Sequence, residues 1–243
     1  RACLGWTMPD RLRRSVLAAY RRLGASPVAV RSSLVGEDSG AASFAGQLDT
    51  VLGVDGESAI FDAVRRVLAS AFGDRLWAYM RQSRSGTGTP SPAPIRASTS
   101  PSALSLAVVV QRLVPAVVSG VAFSVDPVTA RPGTVIEACP GPGEDLVQGR
   151  VRPDRYRLDP RGEIDEIVPA AAGKPLLDEA AIMALGGLVY AVAGTADEPQ
   201  DVEWALDGRG FHVLQARPIS SIAGKPVYSR RMVSDMAPGV VKP

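Results

Sequence analysis

Lysine is almost missing from this sequence. Of its 27 basic residues only Lys174, Lys225 and Lys242 are lysines, and the rest are arginine. Cysteine occurs twice, as Cys3 and Cys139, and histidine once, as His212. Two cysteines make no disulfide framework, and one histidine with two cysteines makes no zinc spacing. A reducing, cytoplasmic setting is expected. Long apolar runs are also missing: 106–110 and 114–118 are among the longest, well short of a membrane span, and no signal-peptide pattern is visible. No membrane partner is expected.

Charge of one sign does not dominate either. The 27 basic residues face 25 acidic ones, for a net charge of +2. A groove binder usually carries a clustered basic face, so no nucleic-acid partner is expected. The preference for arginine suits bidentate phosphate contacts, and it equally fits a bias of genome composition. With 46% hydrophobic and 21% charged residues, the 243-residue chain has the balance of a folded protein. It is long enough for one large domain or two lobes. It opens on Arg1 and stops at Pro243, and it is expected to be a fragment of something longer.

Apolar spacing predicts a helix over 9–23, with Leu12, Val16, Ala19, Tyr20 and Leu23 on one face and Gly24 as its stop. A short buried strand, 28–31, runs into a polar loop, 32–43. A second helix is expected over 59–81. The stretch 82–103 is dominated by serine, threonine, proline and glycine and reads as a linker or mobile loop. Strands follow at 106–113, 120–124, 134–139, 155–158 and 163–168, then a helix over 178–194 capped by Asp178. Last comes a hairpin, 201–206 and 211–217, turning at Asp207-Gly208-Arg209-Gly210. The expected fold class is α+β, with the C-terminal half built on an antiparallel sheet. The expected divisions are 1–81, 82–104, 105–222 and a connector, 223–243.

The hairpin, DVEWALDGRGFHVLQARP, carries the most chemistry. Strand side chains alternate, so Asp201 and Glu203 share one face, as do Gln215 and Arg217 on the returning strand. The turn sets the four side by side. Two carboxylates, an amide oxygen and a guanidinium suit a divalent cation carrying phosphates, and they equally suit an exposed salt-bridged sheet face. Arg31 leads into Ser32-Ser33 and a small-residue loop, a place for an anion or an ordinary surface loop. Glu37 and Asp38 there are ligands or solvated acids. In AVVVQRLVPAVVSGVAFSVDPVT, the strand 108–113 can present its backbone to an adenine edge, and Ser119-Gly120 can bring an amide near phosphate. A buried strand followed by a turn accounts for the same residues. By alternation His212 faces away from Gln215 and Arg217, which leaves it a structural role.

Three motifs stand in order: VRSSLVGEDS-GAASFAGQLDT, VVVQRLV with SGVAFSVDPVT, and DVEWALDGRGFHVLQARPI. Together with VIEACPGPGEDLVQGRVRPDRY, they resemble the ATP-binding (PEP/pyruvate-binding) domain of the phosphoenolpyruvate synthase, pyruvate phosphate dikinase and rifampicin phosphotransferase family. The likeness covers about residues 10–220. It implies an ATP-grasp fold whose two α+β lobes, with mixed and antiparallel sheets, hold magnesium-ATP. It also implies that Arg31 and Arg217 contact phosphate and that Gln111 and the backbone through Leu113 hold adenine. Ser119-Gly120 would approach phosphate, Glu203 and Gln215 would ligate Mg2+, and Asp201 would support the nucleotide. The phosphoryl group would pass to a histidine on a separate carrier domain and then to an acceptor held by a third.

Two departures stand against the family pattern. No segment before Arg31 matches the family's glycine-rich, lysine-bearing phosphate loop, so the fold is expected to be N-terminally truncated. The phosphohistidine and acceptor domains have no counterpart in the sequence. These departures favour a second reading, a non-catalytic ATP-grasp remnant acting as an interaction domain, while the complete hairpin set disfavours it. A carboxylate–amine ligase of the ATP-grasp type is disfavoured by the FAGQ and QARP motifs.

Overall fold

A computed structural model describes residues 7–34, 49–71, 106–147, 149–171 and 173–219. Two compact units result, 1–113 and 114–243. In the first, the apolar stripe forms helix α1 (Asp10–Arg22) and a second helix forms as α2 (Glu57–Ser70). Three strands make its sheet: β1 (Val28–Leu34), β2 (Thr50–Val54) and β3 (Leu106–Arg112), in the order β2-β1-β3, all antiparallel. Tyr20, Val28, Val30, Ile60, Val64 and Val67 form its core. The Tyr20 hydroxyl donates to Asp55 Oδ1 at 3.2 Å and accepts from the Gly56 amide at 2.9 Å, tying α1 to the entry of α2.

Composition places the division of the chain at 82–104, but β3 follows that stretch and pairs along its whole length with β1. The compact units therefore divide between Leu113 and Val114. The linker itself, the loop acids Glu37 and Asp38, the end of the helix expected to reach 81 and the connector 223–243 lie outside the described residues.

The second unit is a six-stranded antiparallel sheet in the order β7-β6-β5-β4-β8-β9. Its strands are β4 (Val118–Val125), β5 (Pro132–Pro140), β6 (Asp154–Leu158), β7 (Ile164–Val168), β8 (Gln200–Asp207) and β9 (Gly210–Pro218). Helix α3 (Glu179–Ala196) packs on one face, and the Asp178 side chain caps it by accepting from the Ala181 amide. By length and mean hydropathy, 1.5 over 18 residues, α3 matches a membrane span. Its Ile182, Leu185 and Val189 are nevertheless buried against Ile136, Tyr156, Val202 and Trp204, the position of a core helix. Mixed helices and two antiparallel sheets make the fold α+β.

One buried charge in this unit, Asp126, is closely paired. Asp126 Oδ1 accepts from the amides of Val128 and Thr129, and Oδ2 accepts from Arg157 at 3.1 Å. Burial pushes the Asp126 carboxyl up, but those amides, the Thr129 hydroxyl and the charge of Arg155 outweigh it and hold the group below its ordinary range.

Gly120 marks the tightest approach in the sheet. A Cβ there would stand 1.8 Å from the Glu137 carbonyl oxygen and 3.0 Å from the Trp204 ring. Neither neighbour can retreat, since one is backbone and the other is the fully buried Trp204. Gly120→Ala is expected to lower unfolding stability by about 3 kcal/mol, the upper part of the usual cost of overpacking. Urea denaturation of the two proteins measures the difference.

Candidate functional site

Three of the expected residues lie in the first unit. On β1 and β3, Ala29 is opposite Gln111 and Arg31 opposite Val109. Directly paired residues share a face, so Arg31 and Gln111 lie on the side away from Val28, Val30, Val108 and Val110, which pack with the helices. The Arg31 guanidinium donates to Gln111 Oε1 at 3.4 Å. The Leu113 amide is spent on the Pro27 carbonyl at 3.0 Å, extending the ladder by one bond.

The remaining expected residues lie in the second unit. Trp204 and Val202 are fully buried toward α3 and fix the inward face of β8, so Asp201, Glu203 and Ala205 face the other way. On β9, Arg217 is opposite Asp201 and Gln215 opposite Glu203. Arg217 Nε donates to Asp201 Oδ2 at 2.9 Å, and its Nη2 stands 3.6 Å from Glu203 Oε1. The four hairpin side chains therefore form one half-buried group.

Two expectations change here. Gly120 lies in the middle of β4 with partners on both sides, Ala138 and Trp204, so its amide serves the ladder rather than an open turn. The Ser119 hydroxyl, buried, donates to the Gly141 carbonyl. His212 also lies on the face opposite to the one that alternation predicts. Glu203 is opposite Gln215, but the next residue, Trp204, is opposite Val213, which leaves Leu214 as an extra residue in a bulge. That insertion reverses the alternation. His212 comes opposite Ala205, on the same face as Glu203 and Gln215, where its Nε2 lies 2.9 Å from Asp207 Oδ1.

One residue of this face escaped sequence reasoning. Glu137 on β5 is opposite Val121, and Val121 is opposite Glu203, so the two glutamates flank one valine in a row across three strands. Arg155 on β6 is opposite Glu137 from the other side. Glu137 is 4% exposed, and its Oε2 has no hydrogen-bond partner. Burial pushes its carboxyl up to about 7, against the pull of Arg155 and with a further push from Asp201. Asp201 is itself raised by burial, opposed by Arg217 and aided by Glu203. The signal was present: a lone glutamate inside the apolar run 134–139, where a charge rarely sits without a task.

Among the described residues, no three of His, Cys, Asp or Glu converge as a ready-made metal cage. Glu203 and Gln215 supply two oxygens, a set that suits magnesium, which keeps waters and takes phosphate oxygens as further ligands.

Comparison with known proteins adds the family. Residues 2–167 match the profile of the pyruvate phosphate dikinase, AMP/ATP-binding domain. A probable phosphoenolpyruvate synthase of Archaeoglobus fulgidus is 32% identical over 92% of this chain and 31% of its own length. A rifampicin phosphotransferase of a Streptomyces species is 35% identical over 90% of this chain and 26% of its own length. The chain thus spans less than a third of either relative.

The raised Glu137 carboxyl has a consequence for stability. A carboxyl whose folded value exceeds its ordinary 4.5 favours folding below that value. That contribution is lost as pH rises from about 4.5 through about 7. With a chelator present, Glu137→Gln is expected to flatten this decline and to gain about 2 kcal/mol over the parent at pH 8 relative to pH 5. Urea unfolding at the two pH values measures it.

Proposed function

Because this chain belongs to the pyruvate phosphate dikinase AMP/ATP-binding domain family, we propose that it is the module of a phosphotransferase that holds magnesium-ATP. The observation that carries this reading is the hairpin pairing. Glu203 stands opposite Gln215, next to the pair of Asp201 and Arg217, on the face turned away from α3. Glu203 and Gln215 hold the cation through hard oxygen donors, and Arg217 grips phosphate oxygens through its guanidinium. A bound magnesium ion would supply neutralisation of the phosphate charge. Asp201 keeps Arg217 in place through the bond to Nε. Arg31 is a second phosphate contact, and Gln111 with the backbone at Leu113 takes the adenine. The fold under this reading is ATP-grasp, and the setting is cytoplasmic.

Phosphoryl transfer needs an acceptor nucleophile held in line with the leaving group, beyond a metal and an arginine clamp. In the proposed reaction that nucleophile is a histidine on a phosphohistidine-carrier domain, which then meets a third, acceptor-binding domain. This chain binds and orients the nucleotide. Its own His212 is tied to Asp207 at the turn end of the hairpin and has no part in that step.

Calorimetric titration of the chain with ATP tests the reading. Binding is expected with magnesium and lost with a chelator. Glu203→Ala and Gln215→Ala are each expected to weaken it by about 1.5–3 kcal/mol, roughly one to two decades in Kd. Both variants should keep the parent's melting behaviour, since neither side chain fills the core. A folded chain that binds no ATP with magnesium present would favour the non-catalytic interaction domain instead.

A further inference from the structure

Among the described residues, four buried side-chain nitrogen or oxygen atoms have no hydrogen-bond partner. One, Trp204 Nε1, lies on the α3 side. The other three, Glu137 Oε2, Asp201 Oδ1 and Arg155 Nε, share the face that carries the hairpin acids. Polar atoms shielded from water and left unpaired are costly, and carboxylate oxygens most of all. The two carboxylate oxygens among them mark a place that lacks a cationic partner.

Arginine satisfies Glu137 and Asp201 only in part. Arg155 is opposite Glu137, yet its Nε makes no bond and its Nη2 leans toward Asp126 Oδ2 at 3.9 Å. Arg217 satisfies Asp201 Oδ2 and leaves Oδ1 bare. Asp201 meanwhile raises the cost of ionising Glu137, as a like charge does. In register, Glu137 is opposite Val121, and Asp201 is opposite Phe123, two residues along the same strand. The two acids thus flank β4 diagonally.

We propose that Glu137 Oε2 and Asp201 Oδ1 frame a cation subsite, separate from the Glu203–Gln215 pair, that takes a divalent, oxygen-seeking ion of the magnesium or manganese type. Two carboxylates completed by water are an ordinary ligand set for such ions. Immediately around the two acids stand Glu203, Arg155 and Arg217, so carboxylates outnumber guanidiniums three to two when all are ionised. The subsite needs no phosphate, which sets it apart from a site that the nucleotide completes.

The test uses the full chain and manganese ion alone, with no nucleotide, following the loss of the free-ion paramagnetic resonance signal. Because ATP is absent, the outcome is independent of whether the nucleotide reading holds. The chain is expected to take up manganese. Glu137→Gln is expected to weaken that uptake about tenfold or more, while Glu203→Ala leaves it in place. If Glu137→Gln fails to show the parent's near-ultraviolet circular dichroism, Asp201→Asn takes its place with the same expected loss. No uptake by the folded parent overturns the proposal. So does equal affinity in Glu137→Gln, or a loss that follows Glu203→Ala.

Discussion

Trp204 decides which way the hairpin faces. Fully buried, it stands in the core with Val202, Ile182, Leu185 and Val189, and its ring meets Phe211 edge-on at 5.6 Å. Strand side chains alternate with period two, so anchoring this indole toward α3 turns Asp201, Glu203 and Ala205 to the opposite face. A one-residue slip would bury two carboxylates against the helix and expel the tryptophan. The core thus enforces the polar face. Gly120 belongs to the same arrangement, because only a residue without a Cβ lets β4 pass between the Glu137 carbonyl and the Trp204 ring.

What gathers on that face is a set of charges that are only partly matched. Arg217 satisfies one oxygen of Asp201 and approaches Glu203, and Arg157 satisfies Asp126. Glu137 and the second Asp201 oxygen stay unmatched, and burial raises both carboxyls. A purely structural network closes its bonds, as the Asp126 network does. An open one stores unfavourable electrostatics that a divalent cation can relieve.

The hairpin, the capped helix α3 and the antiparallel C-terminal sheet were legible in the sequence, because alternation, a turn tetrad and an N-cap aspartate are local signals. Long-range pairing was not. The strand β3 reads as the start of a new lobe because a low-complexity stretch precedes it, yet β1 claims it. The strand β2 is five residues long and contains Gly53 at a positive φ of 65°, too weak a pattern to stand out. His212 was placed on the wrong face because a bulge at Leu214 has no signature that alternation can detect. Glu137 interrupts an apolar strand, a signal in plain view, but its partners on β4, β6 and β8 come together only in the fold.

The central claim is that the β8–β9 face holds magnesium-ATP. Backbone amide chemical shifts of an isotope-labelled chain, followed while magnesium-ATP is added, test it most directly. Saturable shifts are expected at 201–203 and 215–217, with α3 undisturbed. Shifts confined to the outer side of α3 around Met183 and Tyr190, or none at millimolar nucleotide, would contradict it.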